Sequence, residues 1–146
     1  MLLFNGRDRE LRDFLSTARL DHLPPGYRGM TQSIGSFASQ PTAAVDALMN
    51  TLAAGVKNDP EAVFLTAMVS AHARQQDFAL EMLDAAVRTG FSPVVALESS
   101  AVLDEVRPSP RFAPILDLAR QRRHIALAVF ERGEGPALLG ITPEQA

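Results

Sequence analysis

The chain is predicted to be all-α, six or seven helices stacked as antiparallel hairpins in one domain, and three observations lead there. The stretch Asp59 to Phe91 carries two amphipathic helical patterns with two start signals and one stop signal. The start signals recur, Asp59 to Ser92 spanning 33 residues and Asp77 to Ser109 spanning 32. No run convincingly alternates apolar and polar residues, and no Asn-Gly pair joins two such runs as a hairpin turn, so no strand pattern competes.

Taken in order, residues 7–20 place Leu11, Phe14, Leu15 and Ala18 on one face of a first helix. Pro24, Pro25, Gly26 and Gly29 then predict a loop. Met30, Ile34, Phe37 and Ala38 fit a short helix, weakened by Gly35 and the serines around it. Pro41 opens a helix with Val45, Leu48, Met49 and Leu52 as its stripe and Gly55 as its stop. In the central hairpin, Asp59 caps the first helix, Pro60 sits where a missing N–H costs nothing, and Glu61 complements the dipole. Asp77 is read as the cap of the second helix, which runs through Leu80, Leu83, Ala86 and Val87 to Gly90, a residue suited to a left-handed stop. Ser92-Pro93 starts another helix, and Ala101 to Val106 makes a short turn or helix before Pro108. Ser109-Pro110 begins the last and longest, whose stripe is Phe112, Ile115, Leu116, Ala119, Ala126, Leu127 and Phe130, ending at Gly133. Pro114 sits one turn in and disturbs that turn. Residues 137–141 (ALLGI) are expected to pack back on the body, and the last five residues to fray. The domain thus divides into N-terminal helices (7–56), the central hairpin (59–91), C-terminal helices (92–132) and a tail (133–146).

Composition bounds the function. With 146 residues and 47% hydrophobic content the chain suits one well-buried core, and its apolar runs fall far short of the ~20 residues of a membrane helix. MLLFNGRDRE is not the pattern of a secretory signal, and there are no cysteines, so a cytoplasmic protein without disulfides or thiolate chemistry is expected. A formal net charge of −3 argues against general nucleic-acid binding.

The segment DFALEMLDAAVRTGF followed by AVLDEVRPSPRF resembles the degenerate tetratricopeptide repeats at the C-terminal ends of some bacterial transcriptional regulators, signalling kinases and cyclase-like proteins. The matching residues are Ala79, Leu80, Leu83, Ala86, Val87, Gly90 and Phe91, then Leu103, Arg107, Pro110, Arg111 and Phe112. A period of two helices per ~34 residues agrees with such repeats. The resemblance implies a short tetratricopeptide-like right-handed superhelix and a non-catalytic interaction or scaffolding role in bacterial regulation or signalling. It also implies that Arg107 and Arg111 organise the turn they flank rather than clamp a ligand carboxylate. Clamps of lysine and asparagine, used by relatives that bind chaperone tails, are not expected, because Lys57 is the single lysine.

Chemistry-bearing residues are sparse. His22, His72 and His124 lie far from one another, without metal-ligand spacing. No nucleophile elbow or phosphate loop occurs, and Leu138 stands where Gly133 and Gly135 would need a third glycine for a dinucleotide fold. Asp104 and Glu105 are adjacent and point to different sides of a helix. An enzyme and a cofactor are therefore not expected. The candidate partner-binding residues are Arg120, Arg122, Arg123 and His124, which could grip an acidic segment or phosphates. The competing reading is a solvated face paired with Asp117 and Glu131, Arg123 lying along the apolar stripe. Phe78 and Met82 lie off the densest stripe of the hairpin, as a second candidate patch or as core against a neighbouring repeat. A second copy of the chain is a possible partner. The alternative function is small-molecule sensing, which needs a pocket between the N-terminal helices and the hairpin.

Overall fold

A computed structural model describes residues 7–36, 43, 45–47, 59–133 and 135. Among these residues the regular structure is helical, with no strand. It comprises α1 (Asp8–Thr17), α2 (Pro25–Ser36), α3 (Pro60–His72), α4 (Gln76–Thr89), α5 (Val94–Ser99), a 3-10 turn (Ala101–Leu103) and α6 (Phe112–Arg132). Residues 43 and 45–47 are also helical, and Val45 is buried in the core. The remainder of the helix expected over 41–55, and the expected packing of 137–141, lie outside the described residues, as do Phe37, Ala38 and the side chains of Met30 and Ile34.

The centre of the fold is α3, which begins where Asp59 accepts hydrogen bonds from the backbone N–H of Glu61 (3.0 Å) and Ala62 (3.4 Å). Nine of its residues, from Ala62 to Ala71, are buried, so it presents apolar surface on nearly every side rather than one stripe. Two of the nine are polar, Thr66 and Ser70. Their hydroxyls donate to the carbonyls of Ala62 (2.9 Å) and Thr66 (2.8 Å), one turn back, so neither is stranded in the apolar interior. Antiparallel α4 packs along α3 and contributes Ala79, Leu80, Leu83, Ala86 and Val87. Phe64 of α3 meets Phe91, just past α4, with ring centroids 5.3 Å apart and tilted by 52°. The opening of α6 closes the other side through Phe112, Ile115 and Ala119, and Leu97, Leu103 and Val106 fill between them.

Both ends of the hairpin's helices close the same way. At Gly90 (φ 121°) the N–H of Phe91 donates to the Ala86 carbonyl (3.0 Å) and that of Gly90 to Val87 (3.2 Å). This left-handed stop is the one expected from the glycine. After α3, Gln75 N–H donates to Ser70 and Arg74 N–H to Ala71, both at 2.9 Å, with Arg74 at φ 60°. An arginine thus occupies a position that favours glycine.

Several expectations are corrected. Asp77 is not a cap: α4 starts at Gln76, Gln75 precedes it without a side-chain cap, and Asp77 lies in the first turn, where its charge suits the dipole. Ser92 forms no cap for α5, which begins at Val94, whereas Ser109 Oγ accepts the backbone N–H of Arg111 (3.3 Å) one residue before α6. Pro114 is accommodated as the third residue of α6, where its missing N–H has no intrahelical acceptor to lose. The loop expected over Pro25 to Gly29 is helical, because Pro25 stands at the first helical position and the Pro24 carbonyl accepts the N–H of Arg28 at 3.0 Å. Helix α1 stops at Thr17, and it meets the core through Leu11 and Leu15, whereas Phe14 stays 60% exposed.

Candidate functional site

Arg107 and Arg111 come first, since they set the path of the chain into α6. Arg107 donates from Nε to the Leu97 carbonyl (3.0 Å) and from Nη2 to the Ser100 carbonyl, and it pairs with Asp104. Its guanidinium thereby ties the end of α5 to the turn that follows. Arg111 reaches Asp77 Oδ1 at 3.1 Å and ties the start of α6 to that of α4, with both groups largely exposed.

Helix α6 has two unlike halves. Up to Ala119 its inward residues are buried in the core. From Arg123 to Gly133 only Ala128 is even half-buried, for the helix runs on past the α4–α5 corner. That outer half carries the run IALAVF, residues 125–130, with Ile125 54%, Leu127 46%, Val129 56% and Phe130 38% exposed. Leu127 and Phe130, expected on the buried stripe, are therefore surface residues. The core on which the stripe packs ends at Ala119, and beyond it Gly135 lies against the Phe130 ring. Six consecutive apolar residues put apolar groups on all faces, and that continuity was the signal for an unusual surface.

The arginines at the junction of the halves have separate tasks. Arg120 donates from Nε (2.9 Å) and Nη2 (2.7 Å) to Glu98 of α5 and lies 3.6 Å from Asp117. Arg122 donates to the carbonyl of Arg88 at 2.9 Å, satisfying an acceptor at the end of α4. Arg88 is itself held by Asp84 at 2.7 Å, and this hydrogen bond raises its pKa further above the ordinary guanidinium value. Among the described residues, Arg123 and His124 are exposed and form no ion pair, and the expected partner Glu131 forms none either. Gly90, Ser92, Leu118, Arg122, Ile125 and Ala126 help line an open groove of about 680 Å³ between the end of α4 and α6. Phe78 and Met82 lie elsewhere, half-buried against the core on α4, and contribute no exposed patch.

A second hollow, of about 750 Å³, lies at α1 and α2 and is bordered by Arg12, Arg19, Arg28, Ser16, Thr17 and Gln32. Arg28 is fixed there by donating from Nη2 to the carbonyls of Asp21 (2.9 Å) and Leu23 (3.2 Å). None of these three arginines joins an ion pair with a carboxylate among the described residues. The sequence pattern did not mark them, because they are spread over two helices and the connection between them.

Among the described residues no three His, Asp or Glu side chains gather as metal ligands do, and no helix is long and apolar enough to cross a membrane. Comparison of the chain with protein-family models, curated proteins and solved structures gives no match.

Proposed function

We propose that the chain is a non-catalytic protein–protein interaction or scaffolding module of tetratricopeptide-like build, at work in the bacterial cytoplasm in regulation or signalling. The observation that carries this reading is the outer half of α6, where Ile125, Leu127, Val129 and Phe130 remain exposed on one well-formed helix. Contiguous exposed apolar surface of this kind marks a contact surface in soluble proteins. The basic rim of Arg123 and His124 adds orientation and favours acidic counterparts. The packed hairpin and the Arg107 tie supply a firm base for the inner half of α6, from which the outer half projects.

The test is affinity capture with the wild-type chain and with Leu127→Asp, an exposed change that leaves the core untouched. Capture by the wild type and its loss in the variant, with helical circular dichroism preserved in both, is the expected result. Equal capture by both, or none by either, removes the outer half of α6 as the contact.

The hollow at α1 and α2 favours a second reading, small-molecule sensing, in which Arg12, Arg19 and Arg28 meet an anionic ligand. Thermal shifts with phosphate esters and dicarboxylates that vanish in Arg28→Met would support it. Shifts that persist in the variant would count against it.

A further inference from the structure

We propose that the partner of the outer half of α6 is a second copy of this chain, paired antiparallel with Leu127 on the two-fold axis. This rests on the interaction reading above and narrows it to one occupant.

The argument is one of charge and register. At about 100° per residue, Arg123, His124, Leu127, Phe130 and Glu131 share one face of α6. That face is basic at one end and acidic at the other, with apolar residues between them. Arg123 and Glu131 are eight residues, or about 12 Å, apart, too far to pair within one helix. In an antiparallel pair centred on Leu127, however, Arg123 lies opposite the partner's Glu131, and the reverse contact follows from symmetry. His124 then lies opposite the partner's Phe130, and Leu127 meets its own copy. Both charges that this arrangement pairs are without an ion-pair partner among the described residues.

The alternatives are poorer in charge. Ile125 and Val129 share the other face with Arg122 and Arg132. An antiparallel pairing there, on the same centre, sets Arg122 against the partner's Arg132, like charge against like. A parallel pairing on the Leu127 face sets Arg123 against Arg123. Only the antiparallel Leu127 face brings opposite charges together at both ends. The overlap uses the half of α6 whose apolar side chains are largely exposed, with Gly135 against the Phe130 ring at its edge.

The experiment is sedimentation velocity of the full chain over a dilution series, with Arg123→Glu, Glu131→Arg, the double variant Arg123→Glu/Glu131→Arg, and Leu127→Asp. The wild type is expected to reach twice the 15.8 kDa of the chain at high concentration. Each single charge reversal should raise the dimer Kd by about tenfold or more, the double reversal should restore it to within about threefold of wild type, and Leu127→Asp should stay monomeric. Circular dichroism confirms that each variant is folded; should Leu127→Asp lose its helix, the charge series decides alone. A wild type that remains monomeric throughout overturns the pairing, as does a double variant no tighter than the singles. If that monomer still captures another protein through Leu127, the self-pairing fails while the interaction reading stands.

Discussion

Replacing Arg107 with alanine should weaken the fold by about 2–3 kcal/mol, most of it through two backbone carbonyls rather than an ion pair. The Leu97 carbonyl lies in the last turn of α5, where no intrahelical N–H can reach it, and it takes Arg107 Nε at 3.0 Å. The Ser100 carbonyl also accepts Leu103 N–H at 3.0 Å, so it keeps one partner when the arginine is removed. A bond from a charged donor to a carbonyl contributes roughly 1.5–3 kcal/mol, and the Leu97 bond should supply the larger share. The Asp104 pair adds under about 1 kcal/mol, because the Asp104 side chain is 66% exposed. Arg107→Lys keeps a charge without the fork and should lose about half as much as the alanine variant. Urea unfolding followed by helical circular dichroism measures each value, and the Arg107/Asp104 double-mutant cycle separates the ion pair from the rest. In a thermal melt the alanine variant should fall by about 5–10 °C. A loss below about 0.5 kcal/mol, or a cycle that assigns most of the loss to Asp104, would refute the claim that the arginine acts through the carbonyls.

Arg74→Gly should stabilise the protein by about 0.5 kcal/mol. It relieves a left-handed residue worth about 1 kcal/mol, offset by the greater freedom of glycine in the unfolded chain. The 3.9 Å contact of Arg74 with Glu105 is too exposed to matter. Arg74→Val should be the least stable of the three, and any other ranking in urea unfolding contradicts the assignment. For Glu10, the hydrogen bond from Arg7 holds the carboxyl below its ordinary range. A lowered folded pKa gives stability that is present above the unfolded value and lost as pH falls through the folded one. The advantage of wild type over Glu10→Gln should therefore be constant near neutrality and disappear below about pH 4, and it should shrink in salt. An advantage that grows on acidification would show that the pairing does not act.

The parts of the fold written in local chemistry were legible in the sequence. Asp59-Pro60-Glu61 begins α3 and Gly90 ends α4 because each requirement is met within one turn. The role given to Arg107 also holds, though its acceptors, Leu97 and Ser100, are carbonyls and leave no mark in a side-chain pattern. Where tertiary context decides, the pattern misled. Pro25 and Gly26 read as a loop, yet a proline at the first helical position costs a helix nothing. Arg74 takes a turn position for which glycine is the usual sign, so the hairpin's own corner had no marker. In α6 the apolar period runs from Phe112 to Ala119, meets Arg122 and Arg123, and resumes from Ala126 to Phe130, so it reads as one stripe although the supporting body covers only its first part. Leu127 and Phe130 consequently read as core, and the exposed surface at the candidate site went unseen while the arginines beside it were noticed.

The enclosure of α3 has a consequence for how the molecule opens. Its amides around Val69 and Ala71 lie in the helix that α4 and the 3-10 turn pack against, so they can exchange with solvent deuterium only when those neighbours leave together. Exchange there reports the unfolding of the whole body. The outer turns of α6, where Gly135 lies against the Phe130 ring but most side chains are exposed, have less cover and open at lower free-energy cost. Helix α6 therefore joins a buried end, at Phe112, Ile115 and Ala119, to an outer half open to solvent. A partner that seats on the outer half of α6 slows exchange at that end, and the added protection should fade along α6 before it reaches Ala119.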